Sequence, residues 1–202
     1  MSCQFPAFLR PLIGRNYLWR KNSSEKVVYL TFDDGPVPEV TPQVLGVLDD
    51  FDIKATFFCV GDNVKKYPEL YREILLKGHS VGNHTFHHLN GFKVGQEQYL
   101  KDVEQASQLI DSRLFRPPYG KLTRKEKKIL EQKFQIVLWD VISYDYDQNL
   151  SSSQVLKNVK RYTRSGSVIL FHDSVKAKNN MLTVLPQAIS FLLTKGYRFE
   201  KL

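Results

Sequence analysis

Two aspartates stand side by side, Asp33 and Asp34, directly before Gly35-Pro36. Adjacent like charges cost energy unless a cation lies near. A divalent ion bound by one of them removes that cost and leaves the second free to act as a base. His84 and His88 are four residues apart, a spacing that on a helical turn points both imidazoles the same way, and His87 is an alternative partner for His84. Two histidines and one carboxylate, with positions left for water, form a recurrent hydrolytic zinc arrangement. Such an ion brings the pKa of its water to about 7, so a neighbouring aspartate need accept only one proton as the water attacks a carbonyl.

An amide nitrogen leaves poorly unless it is protonated, so amide hydrolysis also needs a general acid. His172 is the candidate. It stands just past the apolar run Ser167–Phe171, and Asp145 or Asp173 is available to hold it protonated and oriented. Arg116 precedes two prolines that stiffen its loop, and its guanidinium suits the Asp33 carboxylate. Tyr119 can offer its backbone N–H to a developing oxyanion. Trp139, Tyr146 and Leu170 can wall a small apolar slot, one that fits an acetyl methyl.

These residues are far apart along the chain, so a scaffold of strands and helices must gather them. Val27–Phe32, Ala55–Val60, His79–Asn83, Leu114–Phe115, Ile136–Trp139 and Ser167–Phe171 read as strands, and Tyr197–Phe199 closes the chain. Helical spacing of apolar residues falls between them: Val40 to Phe51, a helix with Val64, Tyr67, Leu70, Tyr71, Ile74 and Leu75 on one face, and Tyr99 to Ile110. Three more follow at Thr123–Lys133, Ser151–Thr163 and Leu182–Lys195. Roughly seven near-continuously apolar strands alternating with helices predict a parallel sheet covered by helices, either a barrel or an open doubly wound sheet. Both architectures gather ligands at the carboxyl ends of the strands. The polar segments Asp33-Asp34, His84–His88, Arg116–Tyr119, Asp140–Tyr146 and His172-Asp173 each follow an expected strand.

Composition excludes several alternatives. The chain has 202 residues, 42% of them apolar and 25% charged, which suits one globular domain. The net charge of +8 is scattered, and no nucleic-acid-binding pattern accompanies it. Cys3 and Cys59 give no disulfide framework, and Cys59 sits in an apolar run as a small buried hydrophobe. No stretch approaches the ~20 apolar residues of a membrane span. Arg10 and two prolines interrupt the apolar stretch from Phe5 to Gly14, a poor signal-peptide core, so the chain reads as cytoplasmic unless an export signal has been removed.

Thr31–Pro36, His84–His88, Arg116–Gly120, Trp139 through Asp145, and Leu170–His172 resemble, in order, the five motifs of the NodB-homology polysaccharide deacetylases, carbohydrate esterase family four. The resemblance covers Lys26 to Leu202, with residues 1–25 as an N-terminal extension and 26–202 as the catalytic domain. It implies an α/β fold, a distorted (β/α) barrel with outer helices. It also implies removal of N-acetyl groups from amino sugars of an envelope or extracellular glycan. Metal ligands would be Asp34, His84 and His88, binding zinc or else cobalt or nickel. Asp33 would be the base, His172 the acid, Arg116 the residue positioning Asp33, Asp145 the support for His172, and Tyr119 the oxyanion donor. Two positions depart from the family pattern: Tyr146 replaces a tryptophan and Ile142 an aspartate, which bears on substrate preference. The competing readings are an O-acetyl ester or non-sugar amide hydrolase using the same residues, and an inactive glycan-binding module.

Overall fold

The computed structural model describes residues 16–22 and 24–202; Cys3 and the apolar stretch from Phe5 to Gly14 lie outside the described residues. In chain order the elements are β1 (Tyr17–Leu18), β2 (Val27–Asp33), α1 (Thr41–Asp50), β3 (Thr56–Cys59), α2 (Gly61–Lys66), α3 (Pro68–Leu76), β4 (Ser80–Asn83) and α4 (Gln96–Ser107). There follow β5 (Leu114–Phe115), α5 (Arg124–Leu130), β6 (Gln135–Val137), β7 (Val141–Ile142), α6 (Ser152–Tyr162), β8 (Val168–His172), α7 (Lys178–Thr194) and β9 (Arg198–Glu200).

All strand pairings are parallel, in the order β1-β6-β5-β4-β3-β2-β8-β7, with β9 joining the start of β2. Parallel neighbours need crossovers, and the helices supply most of them. The two sheet margins are drawn together by an antiparallel bridge from Arg20 to Ser167. Next to it, the Leu138 N–H donates to the Leu18 carbonyl at 2.8 Å and the Asp140 N–H to the Val168 carbonyl at 2.9 Å. The sheet thereby curls into the expected distorted (β/α) barrel. Its nine strands among the described residues exceed the expected number because β1 and β7 have only two residues each, too short for a periodic signal.

Alternation along the strands builds two apolar layers. Val28, Leu30 and Phe32 of β2 join Phe57, Ile169 and Phe171 beneath the helices, whereas Val27 and Tyr29 join Phe58, Val137 and Val168 inside the barrel. Gly82 of β4 makes room for that interior, since a Cβ there would lie 2.5 Å from the Phe58 ring.

The single helix expected across Val64 to Leu75 is two helices. Proline disfavours helical backbone at the residue before it, and Tyr67 turns to φ −128°, ψ 57° ahead of Pro68. Val64 and Ile74 stay buried, while Tyr67 and Leu75 face solvent. Before residue 26, Tyr17 and Leu18 pair with Ile136 and Val137, so this part of the extension adds a strand to the sheet. No helix among the described residues is long and apolar enough to cross a membrane.

Two glycines serve as opposite tests of this packing. Gly82→Ala should lower stability by about 1–3 kcal/mol through overpacking against Phe58. Gly46→Ala, in mid-α1 with nothing within 4 Å of the added methyl, should raise it by roughly 0.5–1 kcal/mol. Denaturant melts of both variants read the signs, and equal midpoints would contradict the packing described.

Candidate active site

The site is assembled at the carboxyl ends of the strands. Asp33 is the last residue of β2 and His172 the last of β8, and the two are register partners across neighbouring strands. His84 follows β4, Arg116 follows β5, and Asp145 lies just beyond β7. Asp140, expected in the same group, is elsewhere. Its carboxylate accepts from Arg164 at 2.8 and 3.0 Å and from the Ser167 hydroxyl at 2.7 Å, at the amino end of β8, because Asp140 precedes β7 instead of following it.

Arg116 is fully buried within the barrel mouth. Its Nη1 donates to Asp33 Oδ1 at 2.6 Å and to Thr31 Oγ1 at 2.9 Å, and its Nη2 to the Leu138 carbonyl at 3.0 Å. The guanidinium lies 4.0 Å from the centre of the Phe58 ring, a cation–π contact in a dry setting. The expected Arg116–Asp33 pair is present.

Asp34, His84 and His88 come together, with one potential ligand atom from each lying within 4.8 Å of the others. His88 Nε2 is 3.2 Å from Asp34 Oδ1 and His84 Nε2 is 3.8 Å from it. The two histidines do not share a helical turn. Residues 84–88 form a loop in which Thr85 and His88 take left-handed backbone, with φ of 63° and 56°, so the spacing identifies the pair although the geometry behind it is different. The residues fit a divalent ion. A carbonyl only accepts, so His84 Nδ1 must donate to the Arg116 carbonyl at 2.7 Å, which leaves the Nε2 lone pair facing Asp34. Burial lowers the His84 pKa to about 4, holding the ring neutral as a ligand must be. Burial opposes ionisation of Asp34, but the His88 hydrogen bond and the positive charge of nearby His172 outweigh it and hold this carboxyl below the usual carboxylate range. His87 is not part of the cluster, because its Nδ1 bonds Asp102 at 2.5 Å.

Of the two carboxylates offered for His172, Asp145 is the one in contact. Asp145 Oδ1 takes the Nδ1 hydrogen and Oδ2 the backbone N–H, both at 2.8 Å, so Nε2 is left for the cavity. Burial lowers the His172 pKa, yet the charge and hydrogen bond of Asp145, with Asp34 and Asp33 nearby, raise it to about 9. Asp173 turns the other way, to Gly35 and Thr41, and burial raises its pKa to about 8.

A cavity of about 600 Å³ opens over these groups. Trp139, Tyr146 and Leu170 line it as expected, and so do Tyr119 and Ile142. The Tyr146 and His172 rings pack edge to face with centres 4.9 Å apart, and so do Tyr119 and His88 at 4.8 Å. Tyr119 has φ 61°, and its N–H has no protein acceptor among the described residues. Lys121, Ser174 and Lys176 also line the cavity, and no sequence pattern marks them, since isolated lysines and serines are common in a basic chain.

Known proteins share this backbone and much of the sequence. Residues 20–134 match a family described as polysaccharide deacetylase. A peptidoglycan-N-acetylglucosamine deacetylase of Bacillus cereus is 36% identical over 183 residues, 87% of this chain and 66% of that protein's length. A chitooligosaccharide deacetylase of Azorhizobium caulinodans is 34% identical over 166 residues, 76% of this chain and 77% of its own. The crystal structure of a peptidoglycan N-acetylglucosamine deacetylase bound to an N-oxidanyl-benzamide superposes with a TM-score of 0.89 at 32% identity, over 98% of this chain and 95% of that one. Likeness of this extent, in sequence and in backbone alike, leads to one conclusion: the chain belongs to the polysaccharide deacetylase family.

Proposed function

We propose that this protein hydrolyses N-acetyl groups of amino sugars in a polysaccharide, with a divalent metal ion, zinc, at Asp34, His84 and His88. The observation that carries the reading is the register of β2 against β8. It sets Asp33 and His172 on adjacent strand ends, one held by Arg116 and the other by Asp145, beside the three-residue cluster. The relatives named above, deacetylases of peptidoglycan and of chitooligosaccharide, support the substrate class.

When bound, the ion supplies Lewis acidity, polarising the acetamide carbonyl and acidifying a water. Asp33, held by Arg116, accepts a proton from the water as its oxygen bonds to the carbonyl carbon. The Tyr119 N–H donates to the oxyanion that develops. His172 donates the Nε2 proton to the nitrogen as the carbon–nitrogen bond breaks, giving acetate and the free amine. Trp139, Leu170 and Tyr146 exclude water around the acetyl methyl. A histidine held protonated at neutral pH favours an amide over an O-acetyl ester, whose alkoxide leaves with less help.

Acetate release from N-acetylated oligosaccharides should exceed release from O-acetylated ones, and a reversed preference would remove the amide reading. Asp33→Asn should abolish turnover with metal content retained, while His84→Ala and His88→Ala should each lower metal content, measured by atomic emission. Full occupancy in both histidine variants would eliminate the metal site as drawn. His172 acts in its protonated form, so the rate should fall as pH rises through its pKa. Removing the Asp145 charge in Asp145→Asn should move that alkaline limb to lower pH, and an unmoved limb in the rate–pH profile would refute the assignment.

A further inference from the structure

We propose that Asp173, outside the ligand set, is a positioning residue for Asp34, an inference that rests on the function proposed above. Asp34 adopts left-handed backbone at φ 83°, a region an L-residue holds only when its surroundings impose it. Asp173 bonds the peptide on each side of Asp34. Its N–H donates to the Asp33 carbonyl at 3.0 Å, and its Oδ1 accepts the Gly35 N–H at 3.0 Å. Rotation of either flanking peptide, which would swing the Asp34 carboxylate away from His84 and His88, breaks one of these bonds.

The Asp173 carboxylate is itself held. It is 1% exposed, and Oδ2 accepts the Thr41 hydroxyl at 2.7 Å. Thr41 Oγ1 in turn accepts the Val37 N–H at 2.7 Å, so the far end of the turn is tied to the same group. Gly35 is the residue this contact demands. A Cβ there would lie 1.9 Å from Asp173 Oδ2, so the carboxylate lies where any side chain at position 35 would begin. Two further bonds brace the turn from α2 and the residue just before it: Asn63 Nδ2 donates to the Asp34 carbonyl at 2.8 Å, and the Val60 N–H to the Gly35 carbonyl at 2.9 Å. These fix the turn's position in the barrel mouth, while Asp173 fixes the orientation of the peptides at the ligand.

The test compares Asp173→Leu, Asp173→Asn and Gly35→Ala with wild type, measuring zinc affinity by competition with a chromogenic chelator, thermal melting, and kcat and KM on an N-acetylated oligosaccharide. Folded Asp173→Leu should lose roughly tenfold or more in both zinc affinity and kcat, the range typical of residues that orient metal ligands, with KM little changed. Asp173→Asn keeps an oxygen that can accept the Gly35 N–H and should recover most of both losses. Gly35→Ala, whose methyl displaces the carboxylate, should repeat the leucine result. If Asp173→Leu does not fold, Thr41→Val removes the hydroxyl that holds Oδ2 and should show a smaller loss of the same kind. A folded Asp173→Leu or Thr41→Val with wild-type zinc affinity and kcat would overturn the proposal. Wild-type protein that binds no zinc would instead defeat the metal-centre reading itself.

Discussion

Arg116 couples nearly everything at the mouth of the barrel. A guanidinium without solvent costs several kcal/mol unless its donors are met, and here the acceptors come from two separate places: Thr31 and Asp33 on β2, and the Leu138 carbonyl, with more distantly that of Val137 at 3.4 Å, at the end of β6. The backbone of the same residue does the rest. Its N–H donates to the Asn83 carbonyl at 3.0 Å and its carbonyl accepts from His84 Nδ1. One residue therefore sets both the direction of the Asp33 carboxylate and the tautomer of His84. Neither partner can be removed without leaving a buried charge unmatched, so the pair is a constraint on the fold as well as on the site.

Around that pair the backbone departs from its ordinary range. Asp34, Thr85, His88 and Tyr119, all at or beside the cluster, have positive φ without being glycine. Bonds from neighbouring side chains brace this backbone: Asn83 Oδ1 accepts the Thr85 N–H at 2.8 Å, and Asp102 Oδ2 accepts the N–H groups of Phe86 and His87, between Thr85 and His88, at 2.9 Å. Buried carboxylates and amides from outside the cluster thus impose a conformation the local sequence would not choose, which is the general condition for strain to persist at a functional site.

Much of this was readable in the sequence because burial leaves a pattern. β2 and β8 are near-continuously apolar runs that end in Asp33-Asp34 and His172, and a run with such an end points to the site directly. What could not be read has physical causes. Strands of two residues, such as Tyr17–Leu18 and Val141–Ile142, have no periodicity. The break at Tyr67 was hidden by apolar residues that keep helical spacing across Pro68, although the proline itself was a signal. Apart from the family resemblance, which favours Asp145, the residues alone leave Asp145 and Asp173 open, because sequence distance does not show which carboxylate a curled sheet turns toward His172. The four-residue spacing of His84 and His88 pointed to a pair that does come together, but through a helical turn that the chain does not form.

The cavity draws its parts from two sources. Asp33 and His172 are strand-end residues locked by the register of β2 and β8, and a slip of even one residue there would exchange the helix-facing and barrel-facing side chains of the slipped strand. Tyr119, Trp139, Tyr146 and Lys176 come instead from connecting segments. Connections tolerate replacement that strands do not. Descendants of this chain can therefore redraw the rim of the cavity by substitution, while the separation of Asp33 from His172 is inherited unchanged with the hydrophobic core.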